Sequence, residues 1–177
     1  MKIGLITIGA ELLNGARTDT NAAWIGQHVI PSGGSVEWHM TVNDKKEAIV
    51  NALDTVPKSI EAVLCTGGLG PTHDDITADC VAKAFGVEIS ENEDAINMLL
   101  ERIPLEDLNE SRRRMARIPH GARLIENNVS KAPGFQIDNV FVMAGVPAVM
   151  QAMLDVVITR IDKGQKLFTC NISTNIK

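Results

Sequence analysis

Four short apolar runs, each closed by a polar or glycine-rich loop and followed by a stretch of helical period, constrain this chain more than any other feature. The runs are "KIGLITI" at residues 2–8, "SVEWHMTV" at 35–42, "EAVLC" at 61–65 and "NVFVM" at 139–143. Their β-branched and aromatic content suits strands. Between them, residues 19–30 place Trp24, Ile25, His28 and Val29 on one helical face, and residues 44–56 do the same with Ile49, Val50, Leu53 and Val56. Beyond Pro147, which suits a first helical turn, Val149, Met150, Met153, Leu154, Val157, Ile158 and Ile161 recur at helical spacing. Strands alternating with helices predict an α/β fold with a mostly parallel sheet. The whole of residues 1–177 reads as one domain, which at this length buries roughly 70% of the surface its unfolded chain exposes. Residues 91–117 form a charged insertion, expected as two helices broken near Pro104. The final "KLFTCNISTNIK" reads as one more strand, so a protein trimmed at its C-terminus is expected.

Composition excludes several classes of partner. A net charge of -5 gives no electrostatic grip on nucleic acid, and two tryptophans, four phenylalanines and no tyrosine leave no stacking platform for single strands. No window approaches the ~20 apolar residues of a membrane helix. The first apolar run is too short for a secretory signal and is soon followed by Glu11. Cys65, Cys80 and Cys170 are odd in number and lack both a C-x-x-C pattern and a histidine at metal spacing, which fits a reduced cytoplasmic compartment and no structural zinc.

Residues 65–75, "CTGGLGPTHDD", gather three glycines, a proline and two adjacent carboxylates behind an apolar run. As a strand-to-helix turn, Thr72 with Asp75 would match the capping pattern S/T-x-x-D/E, with both carboxylates in the first helical turn. Ile76, Cys80, Val81, Ala84 and Phe85 would then supply the buried helix face and Gly86 its stop. Capping accounts for Thr72 and one acid only. A ligand site would use Gly67, Gly68 and Gly70 to bring backbone N–H groups close to a phosphate. Neither G-x-x-x-x-G-K-[ST] nor G-x-G-x-x-G is present, and the loop has no lysine. A phosphate beside Asp74 and Asp75 therefore calls for an intervening cation, most naturally a divalent metal. In open parallel sheets ligands bind beyond the carboxyl ends of the strands. Four such ends carry "GAELLNGARTDTN", "NDKK", "TGGLGPTHDD" and "AGVP", which would bring Glu11, Asp19, Asn21, Asp44, Asp74 and Asp75 around one crevice.

Taken in order, these loops resemble the N-terminal domain of the competence/damage-inducible protein A (CinA) family, within the molybdopterin-binding superfamily. The resemblance is carried by "GAELLNG" (Gly9 to Gly15), "DTN" (Asp19 to Asn21), "VND" (Val42 to Asp44), "GGLGPTHDDIT" (Gly67 to Thr77), "NNVSKAPGF" (Asn127 to Phe135) and "AGVP" (Ala144 to Pro147). The chain departs from the family pattern at Ser130 and Lys131, where glycine-threonine is usual, at Ala144 in place of proline, and at Val149 in place of glutamate. The resemblance implies a three-layer αβα sandwich that forms homo-oligomers and binds a nucleotide- or pterin-like phosphate. It implies a metal-dependent pyrophosphatase acting on ADP-ribose or a related dinucleotide with magnesium, manganese or cobalt. Superfamily relatives instead bind molybdopterin and adenylylate it, using acids that match Asp44 and Asp75, and a module that binds a nucleotide without turning it over is a third reading.

On these positions, Asp74 and Asp75 are the expected metal ligands, with Asp44 or Glu11 orienting or deprotonating water. Gly67, Gly68, Gly70, Thr72, Thr77, Asn21, Lys131, Pro133, Gly134, Gly145 and Pro147 are the expected ligand contacts. "SRRRMAR" reads as a solvated helix face, with Glu110 and Arg114 at i,i+4 spacing. His28, His39 and His120 read as packing or surface residues, and His73 lies inside the long motif without an assigned role.

Overall fold

The computed structural model describes residues 1–161. The expected C-terminal strand and Cys170 lie outside the described residues. Among the described residues the central sheet has six strands, in the order β2 (Ser35–Val42), β1 (Lys2–Ile8), β3 (Ala62–Thr66), β8 (Val140–Met143), β7 (Gly134–Ile137) and β6 (Arg123–Ile125). β1, β2, β3 and β8 correspond to the four apolar runs. They pair in parallel, β1 lying between β2 and β3, and β3 against β8. β1, β3 and β8 are buried on both faces, which is why they read as continuous apolar runs. β2 forms one edge and is only partly covered, which is why Glu37, His39 and Thr41 are interleaved along it.

Residues alternate across the sheet into two cores. Ile6, Ile8, Val63, Cys65, Val140 and Val142 face a core shared with α3 (Lys46–Asp54) and α4 (Thr77–Phe85). Ile3, Leu5, Leu64, Phe141 and Met143 face the opposite core, shared with α2 (Thr20–Val29) and α7 (Pro147–Arg160). The result is a three-layer αβα sandwich. α7 buries Val149, Met150, Met153, Leu154 and Val157, the stripe expected of it. α4 stops at Gly86, at φ 65°, where the N–H of Val87 reaches back to the carbonyl of Ala82 at 3.0 Å.

On α2 the expected apolar face divides. Ile25 and Val29 are buried, whereas Trp24 and His28 stack on each other outside, with ring centroids 3.9 Å apart. The long motif does not start a helix at Thr72 either. Residues 72–75 make a separate turn closed by the N–H of Asp75 on the carbonyl of Thr72 at 3.2 Å, and α4 begins at Thr77.

The remaining strands are short. β6 (Arg123–Ile125) and β7 (Gly134–Ile137) complete the sheet, β7 running antiparallel to β8. β4 (Ile89–Glu91) and β5 (Arg117–Pro119) pair antiparallel in a separate two-stranded sheet and bracket the insertion. Inside it, α5 (Glu93–Leu100) and the single turn α6 (Glu110–Arg113) lie on either side of Pro104, joined by a 3₁₀ turn at Leu105–Asp107. The arginines of "SRRRMAR" are not a plain solvated face. Arg113 pairs with Glu91 at 2.7 Å, Arg117 makes a two-pronged contact with Asp79 on α4 at 2.8 and 3.0 Å, and the Nε of Arg114 is buried.

Candidate functional site

The chain leaves β1 for β2 on one side and returns to β3 on the other, so the loops after β1 and β3 diverge and open a crevice at the carboxyl edge of the sheet. Its volume is about 390 Å³, within the range of small-molecule sites. Glu11, Asn21, Asp44, Gly67, Gly68, Gly70, Asp75, Gly145 and Pro147 all line it.

The glycine loop is set by contacts behind it. Gly67 and Gly68 sit at φ +110° and +66°, and a Cβ there would strike the carbonyl of Ile8 or the hydroxyl of Thr77. Thr77 is buried, its hydroxyl donating to the carbonyl of Gly67 at 2.9 Å while its N–H donates to the carbonyl of Gly68 at 3.2 Å. Thr77 therefore shapes the loop from beneath. The N–H of Gly67 is occupied by the carbonyl of Met143 at 3.1 Å, but those of Gly68, Leu69 and Gly70 have no acceptor among the described residues. These unused donors share the crevice with the first turns of α2 and α7, at Thr20, Asn21 and Pro147.

Four acids line the same crevice among the described residues. Asp44 accepts at Oδ2 from the N–H of Ala10 at 2.8 Å, which fixes its carboxylate. Asp75 accepts at Oδ2 from the N–H and hydroxyl of Thr72, at 2.9 and 2.6 Å, leaving Oδ1 without a donor among the described residues. Glu11, in the short α1 (Ala10–Leu13), lines the crevice with both oxygens unengaged among the described residues. Asp19 caps α2 through Oδ1, which accepts from Ala22 N–H at 2.8 Å, and its buried Oδ2 lies 3.8 Å from Nε2 of His39. His39 Nε2 also lies 3.2 Å from the hydroxyl of Thr7, which lines the crevice, a placement its sequence neighbours do not signal.

Several expected contacts fall elsewhere. Asp74 is largely exposed, lies outside the crevice lining, and pairs with His73 at 3.2 Å. Thr72 is exposed and acts on Asp75. Lys131, at φ 62°, pairs with Glu101 of the insertion at 2.6 Å. Pro133 lines a small void of about 10 Å³ that adjoins the crevice at Gly68, Gly70 and Asp75, with Arg114 and Arg117. Gly134 admits the carbonyl of Val142, a packing role. Buried Thr7 and Thr66 and exposed Arg17 and Thr18 also line the crevice but carry no motif signal, since threonine in an apolar strand reads as a β-former. Burial pushes the Cys65 thiol up to about 12 and that of Cys80 to about 11, so neither serves as a thiolate.

A mostly parallel sheet with a glycine loop and oriented carboxylates at its switch point defines a three-layer α/β class of domain, and residues 4–163 match the family described as a probable molybdopterin binding domain. The chain belongs to that family and, within it, to the CinA branch. A CinA-like protein of Citrifermentans bemidjiense is 42% identical over 162 residues, covering 88% of this chain and 39% of that protein. The chain thus spans about two fifths of the length of that relative. A protein of Archaeoglobus fulgidus is 34% identical over 93% of this chain and 71% of its own length. Among solved structures, the protein CinA of Thermoplasma acidophilum, described as having unknown function, is 35% identical with a TM-score of 0.83, covering 90% of this chain and 96% of that one. The tungsten cofactor synthesizing protein MoaB of Pyrococcus furiosus, at 22% identity and TM-score 0.59 over 90% and 91% of the two chains, shares the fold. No helix among the described residues is long and apolar enough to cross a membrane.

Proposed function

We propose that this domain hydrolyses a phosphoanhydride bond of ADP-ribose or a related dinucleotide with the help of a divalent cation such as magnesium, manganese or cobalt. The observation that carries the reading is the meeting, in one crevice, of unused amides at Gly68, Leu69 and Gly70 with the oriented carboxylates of Asp44 and Asp75, the latter set against Gly70. Amides would hold one phosphate; acids beside them would repel it unless a cation lay between. Asp44 and Asp75 each keep one oxygen without a protein donor among the described residues, a fit for a hard cation. No group of three or more acids, histidines or cysteines converges among the described residues. The donor set therefore suits an ion of magnesium type, which takes one or two carboxylates and completes its shell with substrate phosphates and water. Asp74 stands outside this set.

When bound, the cation would withdraw charge from the phosphoryl oxygens. The protein's own groups do the rest. The loop amides hold the phosphate under attack and accept its growing charge without reorganising. Glu11, whose carboxylate is unengaged, takes a proton from the attacking water, while Asp44, fixed by Ala10, does not move. A bond forms from water oxygen to phosphorus, the bridging oxygen leaves with its electron pair on the other phosphate, and two monophosphates result.

Purified protein incubated with each cation and with ADP-ribose, FAD, NAD, ATP or molybdopterin, followed by chromatography, tests this. Hydrolysis predicts two monophosphates from ADP-ribose or a relative with no second substrate. The match to a probable molybdopterin binding domain favours one second reading, adenylyl transfer to a pterin, which predicts ATP consumption only when pterin is present. Ligand-dependent thermal stabilisation without any product would instead identify a binding module.

A further inference from the structure

Among the described residues four carboxylates line the crevice, from Glu11, Asp19, Asp44 and Asp75, and the one lining cation is Arg17. Its guanidinium pairs with none of them within 4.0 Å, and it enters no ion pair among the described residues. Arg17 is exposed, and its guanidinium makes no hydrogen bond among the described residues. The segment that carries it is built to a defined shape. Gly15 turns at φ +76°, the N–H of Ala16 donates to the side chain of Asn14 at 2.9 Å, and the N–H of Arg17 donates to the carbonyl of Glu11 at 3.0 Å. This fixes Arg17 on the β1 side of the crevice, whereas the free amides of the glycine loop belong to the β3 side.

We infer that Arg17 is a specificity-determining residue that binds a second phosphate, so that the crevice selects ligands with two linked phosphates over monophosphates. The inference rests on the phosphate-site reading given above. The glycine loop can satisfy one phosphate through its backbone, but a linked neighbour would lie among the crevice acids, where a dianion needs a cation of its own. A guanidinium supplies charge and a planar pair of donors for two phosphate oxygens. Being exposed and unpaired, Arg17 gives up no ion pair to do so, so its contact adds to affinity rather than replacing a bond within the protein.

Binding of α,β-methylene-ADP, a diphosphate that cannot be hydrolysed at the bridge, and of AMP would be measured by calorimetry with magnesium for the wild type, Arg17→Gln and Arg17→Lys. We expect the wild type to prefer the diphosphate by about tenfold or more, the scale of one charge-assisted contact. Arg17→Gln should remove that preference while leaving AMP affinity within about twofold, and Arg17→Lys, which keeps charge but not the planar fork, should restore part of it. Melting temperatures unchanged within a degree or so would confirm that the exposed substitution leaves the fold intact. Equal loss for both ligands, or no loss for the diphosphate, overturns the assignment of Arg17 while the phosphate site stands. If the wild type binds neither ligand, the phosphate-site reading fails and the assignment fails with it.

Discussion

The side-chain amide of Asn21, in the first turn of α2, donates to the carbonyl of Gly145 at 2.8 Å across a separation of 124 residues. The same nitrogen donates to the hydroxyl of Thr66 at 3.2 Å, and that hydroxyl donates to the carbonyl of Ala144 at 2.9 Å. Loops following β1, β3 and β8 are thereby joined by one side chain at the floor of the crevice. Asn21→Ala leaves polar groups of Thr66 and Gly145 without this donor and should cost ~1–3 kcal/mol, read as a lower melting temperature. Asn21→Asp, which sets a carboxylate against the Gly145 carbonyl, should be worse than Asn21→Ala. A melting temperature unmoved by either change would show that the three loops hold together without it.

Asp75→Asn should reduce turnover by ~10²-fold or more, about 2.7 kcal/mol of transition-state stabilisation. The asparagine can still accept from Thr72 through its oxygen, so the turn at 72–75 should persist and circular dichroism should be unchanged. Asp74→Asn is the matched control. Because Asp74 points to His73 and not into the crevice, its change should alter turnover by less than about threefold. Full activity of Asp75→Asn in the presence of a chelator would remove cation-assisted hydrolysis as the mechanism.

Gly68→Val should abolish ligand binding, but the structure assigns the cause to the loop and not to direct obstruction of phosphate. A Cβ at this position strikes Thr77 and must adopt φ +66°, so both the Thr77 contacts and the backbone are strained. A loss of ~2–4 kcal/mol in stability is expected from a disallowed conformation plus a steric clash. Parallel melting and binding curves for Gly68→Ala, the smaller change, would separate the effects. Unaltered stability in Gly68→Ala would contradict the φ and contact geometry.

Cys65 and Cys80 should be silent toward iodoacetamide at pH 8 in the folded protein and react once it is unfolded. Their buried thiols are raised from 9.0 to about 12 and about 11. The unfolded chain therefore loses these protons first as pH rises, and from there stability should fall progressively through the window up to the folded values. Melting temperatures recorded between pH 8 and pH 10.5 with a Cys65→Ser variant alongside would isolate the contribution. Rapid labelling of the native state would show that these positions open to solvent.

The parts of the fold that could be read from sequence are those where burial on both sides imposes a continuous pattern. β1, β3 and β8 are such runs, and α7 carries an uninterrupted stripe. β4, β5 and β6 are three residues each, too short to display a period, and exist because β4 meets β5 and β6 meets β7 at a distance in sequence. On α2, four residues at 24, 25, 28 and 29 cover more surface than one core contact needs, and periodicity does not say which half turns inward. In the site, the motif loops located the crevice, but Asp74 and Asp75 are neighbours with opposite fates decided by the turn at 72–75. "NNVSKAPG" joins β6 to β7. It reaches the same edge because β7 runs against both β6 and β8, a reversal set by pairing and not by local pattern.

The ribbon that brackets the insertion has a consequence for how this domain can diversify. Glu91 and Arg117 stand opposite each other in register, so the chain leaves the sandwich and returns to it at nearly the same place. The entropy of closing such an excursion grows only slowly with its length, so its exposed turns can lengthen or shorten, while Ala95, Leu99 and Leu108, buried in the same core as Ile6 and Val63, hold it to the sandwich. The excursion also adjoins the glycine loop through Arg114, and grips α4 through the Arg117–Asp79 contact. It is an anchored excursion beside the glycine loop, a position from which a change of sequence can retune the crevice without rebuilding its floor.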